Sequence, residues 1–372
     1  MANSSSDSVH DADQDAADHD VAHDVVVVGA SAGGVEALRR LVGALDPDFD
    51  GVMLVVLHLP TNAHSALPSI LGRVAPVPVR HAVDGQRPER GHVYVAPPDR
   101  HLLLKPDGLQ LMRGPTENGH RPAIDPLFRS AAHTCGSRVI GVVLSGVLDD
   151  GTNGLLAIAS HGGLTVAQDP IDALYASMPQ SAIKNVPVDV VASAEQIGAG
   201  LRRLMATPTP RGIDDSVPPG DDVTERALQG GGALEMPGRP SRFTCPDCGG
   251  SLWDDDAEQG KLRCRVGHSW TTLGLLEQQA VTLEQALWTA LRALSERADL
   301  ARRLRDEAAA RSHEHGRRLF ADQLEEYEAC AELLREALRL PDAVIATTEP
   351  NVIELARAAA VADASETEGL SS

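Results

Sequence analysis

The chain has 372 residues and a formal net charge of −20 at pH 7, with 42% hydrophobic and 3% aromatic residues. This length allows two or more domains with a large core, and the negative charge argues against binding to nucleic acid or to anionic membranes. No stretch reaches the length of a transmembrane helix, so we expect no membrane insertion. The first residues lack the basic and apolar regions of a signal peptide, which predicts a cytoplasmic protein.

Residues 1–24 contain many Ser, Asp and His residues and neither Lys nor Arg. Such a segment buries too little apolar surface to order itself, so we predict a disordered acidic tail. Folded structure is expected to begin near residue 25.

The first predicted element is the run Val25–Val28, which is typical of a strand buried on both faces. A glycine-rich turn around Ser31 follows, and apolar residues then recur at helical spacing. This pattern places Ser31 beside a helix N-terminus, where backbone N–H groups can stabilise an oxyanion. The glycine spacing matches neither a phosphate loop nor the G-x-S-x-G nucleophile turn, and Ser31 could equally be a helix N-cap.

Residues 25–206 alternate apolar runs with amphipathic stretches, which predicts a doubly wound, mostly parallel α/β sheet covered on both faces. Three polar residues directly follow predicted buried strands or their glycine-rich turns: Ser31, His58 and Asp150. Parallel strands end at one edge of a sheet, so these side chains are expected to converge there. A hydroxyl, an imidazole and a carboxylate are the parts of an activated nucleophile. Asp150 could instead be a helix N-cap, and its neighbour Asp149 could take either role, the cap or the carboxylate beside His58.

Six blocks occur in order along this segment: Gly29–Gly34, His58–Pro60, Tyr94–His101, His120–Asp125, Leu144–Gly151 and Met178–Pro179. Together they resemble the catalytic domain of the chemotaxis protein-glutamate methylesterases, the CheB family. The resemblance implies that Ser31 is the nucleophile, that His58 is the base and that Asp150 orients His58. It also implies an oxyanion site at Val147 N–H, to which we add the N–H of Ala32.

The sequence departs from this family at several positions beside the implied site. Leu148 and Asp149 stand where the family usually has Gly and Asn, and Ala32 replaces a common Thr. Regulatory members of the family also carry an N-terminal receiver domain, which 24 residues cannot hold. We therefore expect no control by phosphorylation in cis.

Residues 207–241 are rich in Pro, Gly and Asp and are predicted to form a flexible linker. Residues 242–270 then carry Cys245, Cys248, Cys264 and His268 in the spacing C-x2-C-x15-C-x3-H. Three thiolates and an imidazole are a ligand set typical of structural zinc, with no open position for substrate. The module is too small to fold unaided, and we expect five side chains to form its core: Phe243, Leu252, Trp253, Leu262 and Trp270.

Residues 271–340 carry apolar residues spaced by three and four, with an interruption at 313–316. This pattern predicts a helical hairpin that packs on itself, while a homodimer formed through these helices is the alternative. Residues 341–372 are rich in Ala and acidic, and are expected to form a C-terminal tail.

Two functional hypotheses follow. The first is a serine hydrolase that removes methyl esters from glutamyl side chains of a chemoreceptor or related signalling protein, with glutamine deamidation as the related amide chemistry implied by the family. It needs no catalytic cofactor. The second is a signalling scaffold, inactive or weakly active, that binds partners through the zinc ribbon and the helices.

Overall fold

The computed structural model describes residues 23–59, 65–207, 238–255 and 260–339. Its largest element is a parallel seven-stranded sheet in the order β3-β4-β2-β1-β7-β8-β9. The strands are β1 (Val25–Ala30), β2 (Val52–Leu57), β3 (Val79–His81), β4 (His92–Val95), β7 (Val139–Val143), β8 (Leu164–Gln168) and β9 (Val190–Ala192). The predicted doubly wound, mostly parallel α/β fold is confirmed.

The valine run of β1 lies at the centre of this sheet, paired with β2 on one side and β7 on the other. Alternate side chains of a strand point to opposite faces, so Val26 and Val28 enter one core and Val25 and Val27 the other. Helices α1 (Gly34–Gly43), α2 (Leu67–Leu71) and α6 (Ala194–Met205) cover the first face. Helices α3 (Ile124–Cys135), α4 (Thr152–Ser160) and α5 (Ser177–Asn185) cover the second.

A short antiparallel hairpin, β5 (His101–Lys105) with β6 (Gly108–Met112), packs beside α3. Leu102, Leu104 and Leu109 from this hairpin join the second core. The hairpin therefore supports α3, whose first residues lie at the site described below.

The cysteine-rich segment forms a four-stranded antiparallel sheet, which we call the ribbon. Its strands are β10 (Pro240–Thr244), β11 (Ser251–Asp254), β12 (Lys261–Cys264) and β13 (Ser269–Thr271). Leu252, Leu262 and Trp270 are buried there with Cys245 and Cys264, as the pattern predicted. The assignment of Phe243 to this core was wrong, because its side chain is 47% exposed on the edge strand β10. Trp253 is half-buried and also lies outside the core, whereas Leu275 from the next helix belongs to it.

Two helices follow the ribbon, α7 (Thr272–Ala310) and α8 (Glu314–Arg339). They pack on each other through Ala298, Ala301 and Leu324. Among the described helices, none is both long and apolar enough to cross a membrane. Residues 1–22 of the predicted tail, most of the predicted linker and the predicted C-terminal tail fall outside the described residues, and the proposed domain boundaries stay predictions. The last two residues of the predicted tail are described: the His23 side chain is buried, and the Asp24 N–H donates to the Arg138 carbonyl over 3.1 Å.

Candidate active site

Ser31 follows β1 at the carboxyl edge of the sheet, one turn before α1. Its backbone N–H donates to the Ser145 carbonyl over 2.9 Å, and Gly33 then adopts a left-handed φ of 69° that starts the helix. The loop after β7 approaches so closely that a Cβ atom at Gly146 would lie 2.8 Å from the Cβ of Ser31. Glycine is therefore required at position 146 for the two loops to meet.

The structure brings Ser31, His58 and Asp150 together from three separate loops. The Nδ1 atom of His58 lies 3.1 Å from Ser31 Oγ, and its Nε2 atom lies 2.7 Å from Asp150 Oδ2. The imidazole is nearly enclosed, and its own backbone N–H donates to the carbonyl of Ala30 at the end of β1. This is the geometry of a hydroxyl, a base and an orienting carboxylate.

Asp150 is held by backbone N–H groups as well as by His58. The N–H of Ile124 donates to Oδ2 over 2.8 Å, and those of Asp125 and Gly151 donate to Oδ1 over 3.3 and 3.0 Å. Burial favours protonation of Asp150, but the bond from His58, the charge of His58 and the Ile124 N–H outweigh it and lower the pKa of this carboxyl. The N-terminus of α3 thus helps to keep Asp150 ionised beside the imidazole.

Asp149 has a different partner, because its Oδ1 accepts a hydrogen bond of 2.8 Å from Thr271 Oγ1 at the end of the ribbon. Leu148, which replaces the family's usual Gly, has a left-handed φ of 62°. For a residue with a Cβ atom, this left-handed backbone conformation costs roughly 1–2 kcal/mol relative to the right-handed helical conformation. The loop thus retains a glycine-like backbone at a position where the sequence has leucine.

Ala32 and Val147 are half-buried and flank Ser31 on its two loops. Ser145 Oγ donates to the Ala32 carbonyl over 2.8 Å and accepts from Tyr175 N–H over 3.0 Å, which fixes the direction of the Ala32 carbonyl. Within the described part of the chain, the N–H groups of Ala32 and Val147 have no assigned intramolecular acceptor. Their role in binding an oxyanion stays a prediction.

His120 is a part of the site that sequence reasoning missed. Its ring lies against the ring of His58, with centroids 3.8 Å apart, and its Nδ1 atom lies 2.6 Å from the Asn118 carbonyl oxygen. Burial, reinforced by the charge of His58, lowers the pKa of His120 to about 4. The residue opens one of the six resemblance blocks, so a signal was present, but no local pattern gave it a role.

Asp125 was also missed, although it closes the same block. Its Oδ1 accepts hydrogen bonds from Gly151 N–H over 3.1 Å and Gly154 N–H over 2.7 Å. Burial raises the pKa of Asp125 to about 7, although the ammonium of Lys261 acts in the opposite direction. The carboxylate therefore ties the loop that carries Asp150 to the start of α3.

In the ribbon, Cys245, Cys248, Cys264 and His268 form a group that could hold a metal ion, with ligand atoms all within 4.8 Å of one another. Cys248 and Cys264 bring their sulfur atoms within 3.6 Å, and the Cys245 sulfur lies 3.7 Å from His268 Nδ1. Three sulfurs and one imidazole nitrogen at these separations fit a closed tetrahedral site.

Comparison with known proteins gives one family for the first half of the chain. Residues 26–201 match the family model described as CheB methylesterase. A protein of Leptospira interrogans whose name contains protein-glutamate methylesterase/protein-glutamine glutaminase is 36% identical over 183 residues, which are 49% of this chain and 95% of that protein.

Other relatives are longer. Protein-glutamate methylesterase/protein-glutamine glutaminase 2 of Rhizobium johnstonii is 41% identical over 177 residues, 46% of this chain and 48% of that protein. The chain spans about half the length of the first curated relatives it matches. The catalytic domain of Thermotoga maritima CheB methylesterase is 32% identical, over 50% of this chain and 98% of that domain, with a TM-score of 0.47.

Proposed function

The chain belongs to the CheB methylesterase family, and from that premise we propose that it is a serine hydrolase that removes methyl esters from glutamyl side chains of a signalling protein. The observation that carries this proposal is the chain of hydrogen bonds from Ser31 through His58 to Asp150. The three residues come from distant parts of the sequence, and each is held by backbone hydrogen bonds.

In the first step, Ser31 Oγ attacks the γ-carbonyl carbon of the methyl ester. When the Nε2 proton of His58 faces Asp150, Nδ1 is free to accept the Ser31 proton. Asp150 stabilises the imidazolium that forms, without itself taking the proton. The negative charge on the carbonyl oxygen would be held by the N–H groups of Ala32 and Val147.

In the second step, the tetrahedral intermediate collapses. The bond to the methoxy oxygen breaks, His58 returns its proton to that oxygen, and methanol leaves an acyl-Ser31 ester. Water then attacks the acyl carbon with His58 again as base, which releases the glutamate carboxylate and restores Ser31. A glutamine side chain would lose ammonia by the same route, the second activity in the names of the relatives.

The test is methanol release from a carboxymethylated chemoreceptor fragment, compared among the wild type, Ser31→Ala and Asp150→Asn. We expect Ser31→Ala to abolish release above a small residual rate, and Asp150→Asn to lower kcat by roughly 10⁴-fold because the imidazole loses its orienting carboxylate. Asp149→Asn is the matched control, since that carboxyl contacts Thr271 instead of His58. The loss of kcat in Asp149→Asn should be far smaller than the loss in Asp150→Asn.

A serine-directed fluorophosphonate separates the enzyme from a scaffold. Labelling of the wild type that disappears in Ser31→Ala supports the nucleophile, whatever the natural substrate is. A folded wild type that is neither labelled nor active would favour the scaffold, in which the ribbon and the helices bind partners. Unchanged labelling of Ser31→Ala would contradict the assignment of the nucleophile.

We propose that Cys245, Cys248, Cys264 and His268 bind a structural zinc ion, which takes no part in the hydrolysis. We further propose that the reaction occurs in the cytoplasm on a methylated receptor or a related signalling protein. We also propose that two copies of the chain form a homodimer through the C-terminal helices.

A further inference from the structure

The ribbon touches the residues that support the candidate active site. Lys261, on β12, is fully buried, and its Nζ atom lies 3.0 Å from Glu117 Oε2 and 3.3 Å from Asp125 Oδ2. Glu117 also accepts a hydrogen bond of 2.6 Å from Arg129. A buried ammonium between two buried carboxylates is stable only when the geometry is kept, so the position of the ribbon and that of Asp125 are coupled.

The second carboxylate oxygen of Asp125 carries this coupling to Asp150. While Oδ2 contacts Lys261, Oδ1 accepts from the N–H groups of Gly151 and Gly154. The N–H of Gly151 also donates to Asp150 Oδ1. Lys261 is thus separated from Asp150 by one side chain and one peptide group.

A second connection runs through Thr271, the last residue of β13. Its hydroxyl donates to Asp149 and accepts from Gly274 N–H at the start of α7, while its N–H donates to Asn118 Oδ1 over 2.7 Å. The N–H of Asn118 in turn donates to the Ser269 carbonyl over 2.8 Å, and the Asn118 carbonyl oxygen lies within hydrogen-bond distance of the His120 ring. The ribbon therefore also holds the segment that places His120 against His58.

These contacts join the ribbon to Glu117, Asp125, Asn118 and Asp149. Among the described residues, the hydrogen bonds of Ser31 and His58 all come from the residues of the parallel sheet and its loops. Ser31 and Ala32 stay partly exposed with the ribbon docked. The ribbon therefore supports the residues of the site and leaves Ser31 accessible.

We propose that the ribbon is a positioning module for the active site, in which Lys261 and Thr271 are positioning residues that hold Asp125 and Asp149 and, through them, the loop of Asp150. This inference rests on the proposed function, because it assigns the ribbon a role in that hydrolysis. The reactivity of Ser31 in this chain then depends on the ribbon, which lies outside residues 26–201, the part that matches the family model.

The test uses the full chain and the rate at which a fluorophosphonate labels Ser31. In Lys261→Met the maximal rate constant of labelling should fall about 10- to 100-fold, because misplacement of a supporting group by about 1 Å costs that much. The phosphonate concentration that gives half the maximal rate should change little. The fraction of protein labelled at completion should stay at the wild-type level.

Lys184→Met is the matched control, because it removes an exposed lysine of α5 by the same substitution. The double variant Lys261→Met/Asp125→Asn removes both charges yet keeps an amide oxygen for Gly151 and Gly154, while Glu117 keeps Arg129. We expect it to recover most of the lost rate.

Three outcomes would contradict either the positioning role of Lys261 or the proposed hydrolase function. A Lys261→Met protein labelled at the wild-type rate and to completion contradicts the positioning role. A reduced labelled fraction with an unchanged rate constant shows that Lys261 only maintains folding, which also contradicts it. Failure of the folded wild type to react at all contradicts the proposed function itself, and the inference falls with it.

Discussion

At the scale of single residues, His120 makes the stability of the folded chain depend on pH. Its pKa of about 4 in the folded chain compares with about 6.5 in the unfolded chain, because burial and the charge of His58 oppose its protonation. Between these values the unfolded state binds more protons, so the free energy of unfolding falls as the pH falls. The stability that neutral His120 contributes is complete above the unfolded value and is lost towards pH about 4.

We expect His120→Phe, which keeps a ring beside His58 but does not titrate, to reduce this pH dependence. Between about pH 7.5 and about pH 5 the wild type should lose about 2 kcal/mol more than the variant. Urea unfolding at both pH values measures the difference. Burial also lowers the pKa of His101. Because His101 is present in both proteins, its contribution to the pH dependence is the same in both and drops out of the difference.

His315→Phe serves as the control, because it removes an exposed histidine of α8. Its loss of stability with pH should equal that of the wild type. If His120→Phe loses as much stability as the wild type over this range, proton linkage at His120 is excluded.

The residues of the site differ in how far the sequence could predict them. Ser31 and His58 follow long buried strands, and the carboxyl edge of a parallel sheet brings such positions together. Asp149 and Asp150 are adjacent, so only the resemblance favoured Asp150 as the partner of His58. Lys261 gave no signal at all, because its carboxylate partners lie 144 and 136 residues away along the chain.

At the scale of elements, the ribbon has too small a core to fold by apolar burial alone. Its buried apolar side chains are Leu252, Leu262 and Trp270, with Leu275 from α7. The pattern predicted the first three correctly, although Lys261 and Arg263, the neighbours of Leu262 on β12, are buried as well. It failed for Phe243, since an edge strand can leave an aromatic residue in solvent. Metal binding would supply the missing free energy, about 10–16 kcal/mol in small zinc modules.

Cys264→Ser is therefore expected to lower bound zinc from about one ion per chain to a small fraction. Buried Trp270 should then become exposed, with a red shift in tryptophan emission, while the parallel sheet stays folded. Atomic absorption and fluorescence measure the two effects. Cys330→Ser changes an exposed cysteine outside the cluster and should retain the metal. Wild-type protein that binds no zinc when refolded with the ion would contradict the structural site.

At the scale of the whole molecule, one apolar stripe runs along α7 but is only partly covered. Helix α7 has 39 residues and α8 has 26, so α7 extends roughly 20 Å further at 1.5 Å per residue. Where the two helices overlap, Ala298 and Ala301 are buried. Earlier in the same stripe, Leu276 and Leu283 are 63% and 47% exposed, because α8 does not reach them.

A second copy of α7 would cover this part of the stripe, since the heptad spacing of Leu276 and Leu283 suits pairing between helices. We therefore expect the wild type to sediment as a dimer and the variant Leu276→Glu/Leu283→Glu as a monomer, because paired carboxylates would be buried at the contact. Leu156→Glu, which changes an exposed leucine of α4 on the parallel-sheet half, should stay dimeric. A wild type that is monomeric at every concentration tested would contradict the dimer and leave the hairpin as a structure complete in one chain.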